Sequence, residues 1–274
     1  MASATTEPIA IVAGMEDPAG VHPGNASGLA TNLAGLYVVH LFNYMVPFVT
    51  VPYLARILGV AEWGHYSFVE SCARYMSLFV EYGFPLWATR EVTRCRHDAG
   101  ARSRLLAGVL GLQVTTSIVI LLGVAVVACY SSQFQHSPAL FAAATCWAVL
   151  EGMGLMWYFQ GQERIRTIAW VDVLSKSGAM AAMFFTVHGP ADVWRVLALR
   201  AAAAGTTLGA GLLLVYRETP WQMPTWTLIL RTMRESSTMF IYRSSTALST
   251  VANVIVLGLV AKPELVGLYA GAEK

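Results

Sequence analysis

Seven long apolar stretches recur along this chain, near residues 29–51, 65–87, 104–130, 138–160, 166–188, 193–216 and 238–261. A helix needs about 20 apolar residues to cross the hydrocarbon layer of a bilayer, and each stretch is long enough. With no water inside the bilayer to satisfy backbone groups, only helices or closed barrels can cross it. A barrel needs roughly ten-residue segments that alternate apolar and polar residues. Runs such as Ile118-Val119-Ile120-Leu121-Leu122 do not alternate. The fold class is therefore all-α, a polytopic transmembrane helix bundle. A composition 56% hydrophobic and only 12% charged agrees with lipid as the main solvent.

The formal net charge of +2 gives no reason to expect nucleic acid as a partner, but the placement of the charges is informative. With the N-terminus in the cytoplasm, the inner loops hold Arg90, Arg94, Arg96, Arg102 and Arg104, then Arg164 and Arg166, then Arg217, Arg231 and Arg234. The outer loops hold little beyond Arg56, Arg195 and Lys262. The positive-inside rule then predicts a cytoplasmic N-terminus. Residues 1–28 lack the basic start and apolar core of a signal peptide and read as a mobile cytoplasmic tail. Residues 218–237, with Pro220, Trp221, Pro224 and Trp226, read as an amphipathic interfacial segment between the sixth and seventh spans. Pro47, deep in the first span, is the expected site of a kink, whereas Pro52 and Pro85 equally fit helix-end punctuation.

Ionisable residues inside the spans carry the most chemical information, because each costs on the order of 2.5–3.5 kcal/mol at the bilayer centre. Glu70, Arg74, Ser77 and Glu81 follow steps of four, three and four and share one helical face. Asp172 and Lys176 form a second pair spaced for one face. Arg200 lies in the sixth span, Arg243 near the inner end of the seventh, and Glu151 in the inner half of the fourth. Two readings compete. In one, the opposite charges are neutralised pairs that lock helices together, with Arg243 reaching for the headgroups. In the other, Arg74, Lys176, Arg200 and Arg243 converge on a wet cavity that receives an anion, with Glu70, Glu81, Glu151 and Asp172 as pairing carboxylates.

Enzymatic chemistry has little support. The six histidines include no HExxH, and His40, the one within a span, reads as a hydrogen-bonded core residue. There is no GxxxxGK[ST] phosphate loop. Cys72, Cys95, Cys129 and Cys146 have no metal-ligand spacing, so neither a metal nor a cofactor is expected.

The segments between the spans carry a resemblance. YLARILGVAEWGHYSFVES at 53–71, EYGFPLWATREVTRCR at 81–96, LMWYFQGQERI at 155–165 and VLGLVAKPELVGLYAGAEK at 256–274 stand in this order along the chain. Together they resemble the Wzx-type polysaccharide flippases of the multidrug/oligosaccharidyl-lipid/polysaccharide exporter superfamily. The resemblance implies a non-enzymatic transporter of the bacterial inner membrane. Its cargo would be an undecaprenyl-diphosphate-linked oligosaccharide for O-antigen, capsule or exopolysaccharide synthesis, moved by alternating access between two six-helix lobes. It also implies a polysaccharide polymerase and a chain-length regulator as candidate partners, and H+ or Na+ as candidate coupling ions. Gly59, Gly64, Gly83, Arg90, Glu91, Gly161 and Glu163 match signature positions, read as hinge, turn and loop-packing residues.

By the same resemblance, 29–216 is a six-helix N-lobe, 217–237 a linker, and 238–274 the first helix and start of the second helix of a C-lobe that looks truncated. A helix-seven position that often bears a carboxylate is here Asn253, which weakens cation coupling through that site. The alternatives are a cation-coupled drug exporter of the same superfamily and an inactive fragment or scaffold. A membrane glycosyltransferase is disfavoured, because no outer loop is long enough for a catalytic platform.

Overall fold

A computed structural model of the chain describes residues 23–130, 137–261 and 263–273. The tail expected at 1–28 therefore lies, as far as residue 22, outside the described residues, as do His136, Lys262 and the side chains of His40 and Pro47. The described residues form α1 (Pro23–Glu81), α2 (Phe84–Arg94), α3 (Ala99–Tyr130), α4 (Pro138–Gly152), α5 (Met156–Gly161), α6 (Ile165–Thr186), α7 (Val193–Glu218), α8 (Trp226–Val260) and α9 (Pro263–Glu273). A short 3-10 turn at Pro190–Asp192 leads into α7. The all-α class holds, and among the described residues four stretches are long and apolar enough to cross a membrane: Ala99–Tyr130, Pro138–Gly161, Ile165–Thr186 and Pro190–Glu218. Ile118, Val119, Leu121, Leu122 and Val126 of α3 point outward, as a lipid-facing helix requires.

The spans are interrupted where the backbone permits it. α1 departs from helical geometry at Gly59 (φ 75°, ψ 168°), a region essentially reserved for glycine, and is helical straight through Pro47 and Pro52. The break thus sits at a glycine rather than at the expected proline. The second span also ends earlier than expected. Tyr82 and Gly83 take positive φ, and Pro85 serves the first turn of α2, where its missing N–H costs nothing. A second interruption, at residues 153–155, divides the fourth span into α4 and α5.

Helices cover much of the stretch expected as an interfacial linker at 217–237. Only 219–225 is non-helical, and residues 226–237 are the opening turns of α8. Ile229, Thr232 and Ser236 are buried at helical spacing against α3, where Gly108 and Gly111 allow close approach.

Two apolar clusters organise the bundle. One gathers Leu54, Trp63, Tyr66, Leu140, Trp147, Met183 and Leu197 from α1, α4, α6 and α7. The other joins Phe84, Val92, Leu106, Tyr158, Leu208 and Ile229 at the arginine-rich end. Glycines bring backbones together between them. A Cβ on Gly161 would stand 2.7 Å from the Thr89 carbonyl oxygen of α2, and one on Gly83 would stand 2.7 Å from the Phe240 nitrogen of α8. A Cβ on Gly64 would overlap the Pro263 carbonyl oxygen of α9. Signature glycines at 64, 83 and 161 are thus points of close helix contact.

Candidate functional site

α1, α4, α6 and α7 enclose a cavity of about 610 Å³. Its polar wall includes Glu70, Arg74, Glu151, Lys176 and Arg200, and its apolar wall includes Trp63, Tyr66, Trp147, Met180 and Met183. The size falls within the range of small-ligand pockets.

Glu70 is the centre of the charged wall and only 2% exposed. Its Oε1 accepts hydrogen bonds from Arg74 Nη2 at 3.0 Å, Arg74 Nε at 3.3 Å and Arg200 Nη1 at 2.6 Å. The Tyr66 hydroxyl also hydrogen-bonds with Glu70. Trp147 lies beside both cations, with the Arg200 guanidinium 5.0 Å and that of Arg74 5.7 Å from its ring centroid. A buried carboxylate and an aromatic face therefore together hold two like charges close to each other. The Arg74 side chain remains 51% exposed, so its guanidinium is open to the cavity while Glu70 is covered behind it.

On α6, Lys176 Nζ donates to Asp172 Oδ2 at 2.8 Å. Asp172 is buried, and its Oδ1 faces the Thr207 hydroxyl at 3.5 Å. Glu151 lines the cavity and is exposed to it, with no ion pair among the described residues. Three of the four expected cations thus share one chamber, and each of the three has a carboxylate partner. Pairing and cavity-lining, posed as rivals by the sequence, describe the same residues.

Arg243 is elsewhere. It does not line this cavity, and its Nη2 lies 2.9 Å from Glu81 Oε2, linking α8 to the end of α1. Asn253 is exposed on α8. Sequence reasoning missed the apolar lining, including the aromatic residues beside the charged groups. Trp63, Tyr66 and Trp147 look like ordinary core residues in an apolar run, and only tertiary contact distinguishes them.

Of the signature residues, Gly83, Arg90, Glu91, Gly161 and Glu163 lie at the arginine-rich end, whereas Gly59 and Gly64 lie within α1 near α9. Glu163, with φ 55°, pairs with Arg96 at 3.0 Å, and Glu91 pairs with Arg94 at 2.7 Å. Arg90 is exposed, and Gly59 marks the break in α1. None of these residues lines the cavity. Among the described residues no cluster of His, Cys, Asp or Glu is arranged to hold a metal ion.

Residues 29–274 match a family described as "Polysaccharide biosynthesis protein". The chain is 25% identical over 252 residues to a protein named "Putative O-antigen transporter" from Escherichia coli (strain K12), covering 90% of this chain and 60% of that relative. A protein of the same name from Shigella dysenteriae is 24% identical over 251 residues, covering 89% of this chain and 61% of the relative. The chain therefore spans about three fifths of the length of these curated relatives. No solved structure matches it. The family match over nearly the whole chain agrees with the multi-pass helical bundle and its loop signatures, and the chain belongs to the polysaccharide biosynthesis protein family.

Proposed function

We propose that this chain contributes the substrate-lining half of a transporter that flips undecaprenyl-diphosphate-linked oligosaccharide units across the bacterial cytoplasmic membrane. The observation that carries the reading is that Arg74, Lys176 and Arg200, from three different helices, line one cavity. A diphosphate headgroup crossing a medium of low dielectric needs positive charge along its path, and guanidinium groups offer directional donors to its oxygens. The buried Glu70 and Asp172 hold these cations in place through ion pairs. Alternating access then exposes the chamber to one side of the membrane at a time.

Three further elements belong to this proposal. Residues 29–216 act as one six-helix lobe, and 238–274 begin a second. The arginine-rich face is cytoplasmic and so is the N-terminus, an orientation supported by the loop charges. Partners that polymerise the oligosaccharide act on the far side. Arg243 takes a different role from the cavity cations, tying α8 to α1 through Glu81.

A small-cation exporter is the second reading, and the exposed carboxylate of Glu151 in the cavity is what favours it. Complementation separates the two. In a strain lacking its own flippase, the wild-type protein restores surface polysaccharide, and the Arg74→Ala/Lys176→Ala/Arg200→Ala variant does not, at equal membrane abundance. Full restoration by that variant removes the flippase reading. Drug resistance that depends on Glu151 supports the exporter.

A further inference from the structure

The arginine-rich end of the bundle is stitched by ion pairs: Arg96 with Glu163, Arg164 with Glu218 and Arg231 with Glu235. Beside these stand exposed arginines with no ion pair among the described residues, including Arg104 at the start of α3 and Arg217 at the end of α7. The 219–225 connector runs between them. Its backbone is fixed: Ser103 Oγ donates to the Pro220 carbonyl, Thr219 is buried, and Pro224 packs over Gly111. That attachment brings residue 220 against Ser103, which precedes Arg104 in α3, and Arg217 lies three residues before it in the chain.

The outward side of the connector is apolar. Trp221 is 63% exposed, Met223 79% and Trp226 62%. In water such exposure is unfavourable, whereas tryptophan is at home at the level of lipid headgroups, with its ring among the chain ends and its N–H in the polar layer. The exposed arginines on either side of it add attraction for anionic lipid over zwitterionic lipid.

We propose that the α7–α8 connector, with Arg104 and Arg217, is a docking surface for anionic phospholipid. Trp221 and Trp226 seat it in the headgroup layer, and the two guanidiniums engage lipid phosphates. The surface is remote from the cavity residues and the proposal does not depend on what the cavity carries.

The test uses the chain in nanodiscs of phosphatidylcholine, with or without phosphatidylglycerol, and lipids brominated near the headgroup as quenchers. Because the chain has 8 tryptophans, the signal is the difference between wild type and the Trp221→Phe/Trp226→Phe variant. The expected result is that this difference signal is quenched by brominated lipid, and more by brominated phosphatidylglycerol than by brominated phosphatidylcholine. Arg104→Gln and Arg217→Gln should each weaken the phosphatidylglycerol preference about fivefold, with unchanged helicity and melting. Quenching of the difference signal by aqueous iodide instead of brominated lipid would overturn the proposal, because the two indoles would then stand in water. A difference signal that is shielded only at high protein concentration in detergent overturns it in favour of a second copy. Equal quenching by the two lipids also overturns it.

Discussion

Arg200 on α7 and Glu70 on α1, 130 residues apart in sequence, meet at 2.6 Å, and the same carboxylate oxygen holds Arg74 from its own helix. This contact joins two helices through the wall of the cavity. Removing Arg200 leaves a buried carboxylate with one remaining cation. Arg200→Ala should destabilise the protein by about 3 kcal/mol, the low end for breaking a buried pair, because Arg74 still offers a partner. Thermal unfolding in detergent measures it. Arg200→Ala combined with Glu70→Gln should recover part of the loss.

The backbone contact at Gly64 gives a second test. A Cβ there would overlap the Pro263 carbonyl oxygen, and backbone cannot yield as a side-chain tip can. Gly64→Ala should cost at least about 1–3 kcal/mol by overpacking and should loosen α9 from α1. Gly123→Ala, where nothing lies within 4 Å, should be close to neutral in the same melting measurement.

Arg243 and Glu81 should behave as a coupled pair rather than as a substrate contact. Each is about one third exposed, at 32% and 30%, so the coupling is expected to be modest, about 1 kcal/mol in a double-mutant cycle. Exchanging the two residues should restore stability lost in either single alanine variant. If instead Arg243→Ala abolishes complementation while leaving stability untouched, the assignment to a helix tie is wrong.

Asp98 predicts a pH dependence. Its Oδ1 accepts hydrogen bonds from the backbone N–H groups of Ala101 at 3.0 Å and Gly100 at 2.8 Å, at the start of α3. The Ala101 bond in particular holds the carboxyl below the usual carboxylate range. A group with a depressed folded pKa contributes stability above its ordinary unfolded value and loses it as pH falls through the folded value. Asp98→Asn should therefore melt lower than wild type near neutral pH, and the two curves should converge in acid.

The helical spans were legible because apolar length is a local property, written in consecutive residues. The pairs Glu70–Arg74 and Asp172–Lys176 were legible for the same reason, since helical spacing alone puts them on one face. What joins them across helices was not. Nothing local marks Arg200 as the partner of Glu70 rather than of Asp172 or Glu151, because that choice depends on how α7 is rotated against α1. Trp147 carries no signature either, and its role beside two guanidiniums follows only from packing. The expected fourth cavity cation failed in the same way: Arg243 has the right depth for a lining residue, but Glu81 lies nearer. The kink shows the limit of proline as a guide. At Gly59 the backbone adopts dihedrals closed to other residues, while the prolines of α1 sit within continuous helix.

The meeting of Gly64 with Pro263 has a mechanical corollary. Gly267 approaches the Val60 carbonyl from the other side, so α1 and α9 touch backbone to backbone just after the break at Gly59. Sliding one helix past the other would need each bare spot to find a new match among bulkier neighbours. Tilting about the spot needs no such match. Any rocking of α9 against α1 thus has a built-in fulcrum, and the largest excursions fall at the ends of the two rods farthest from it.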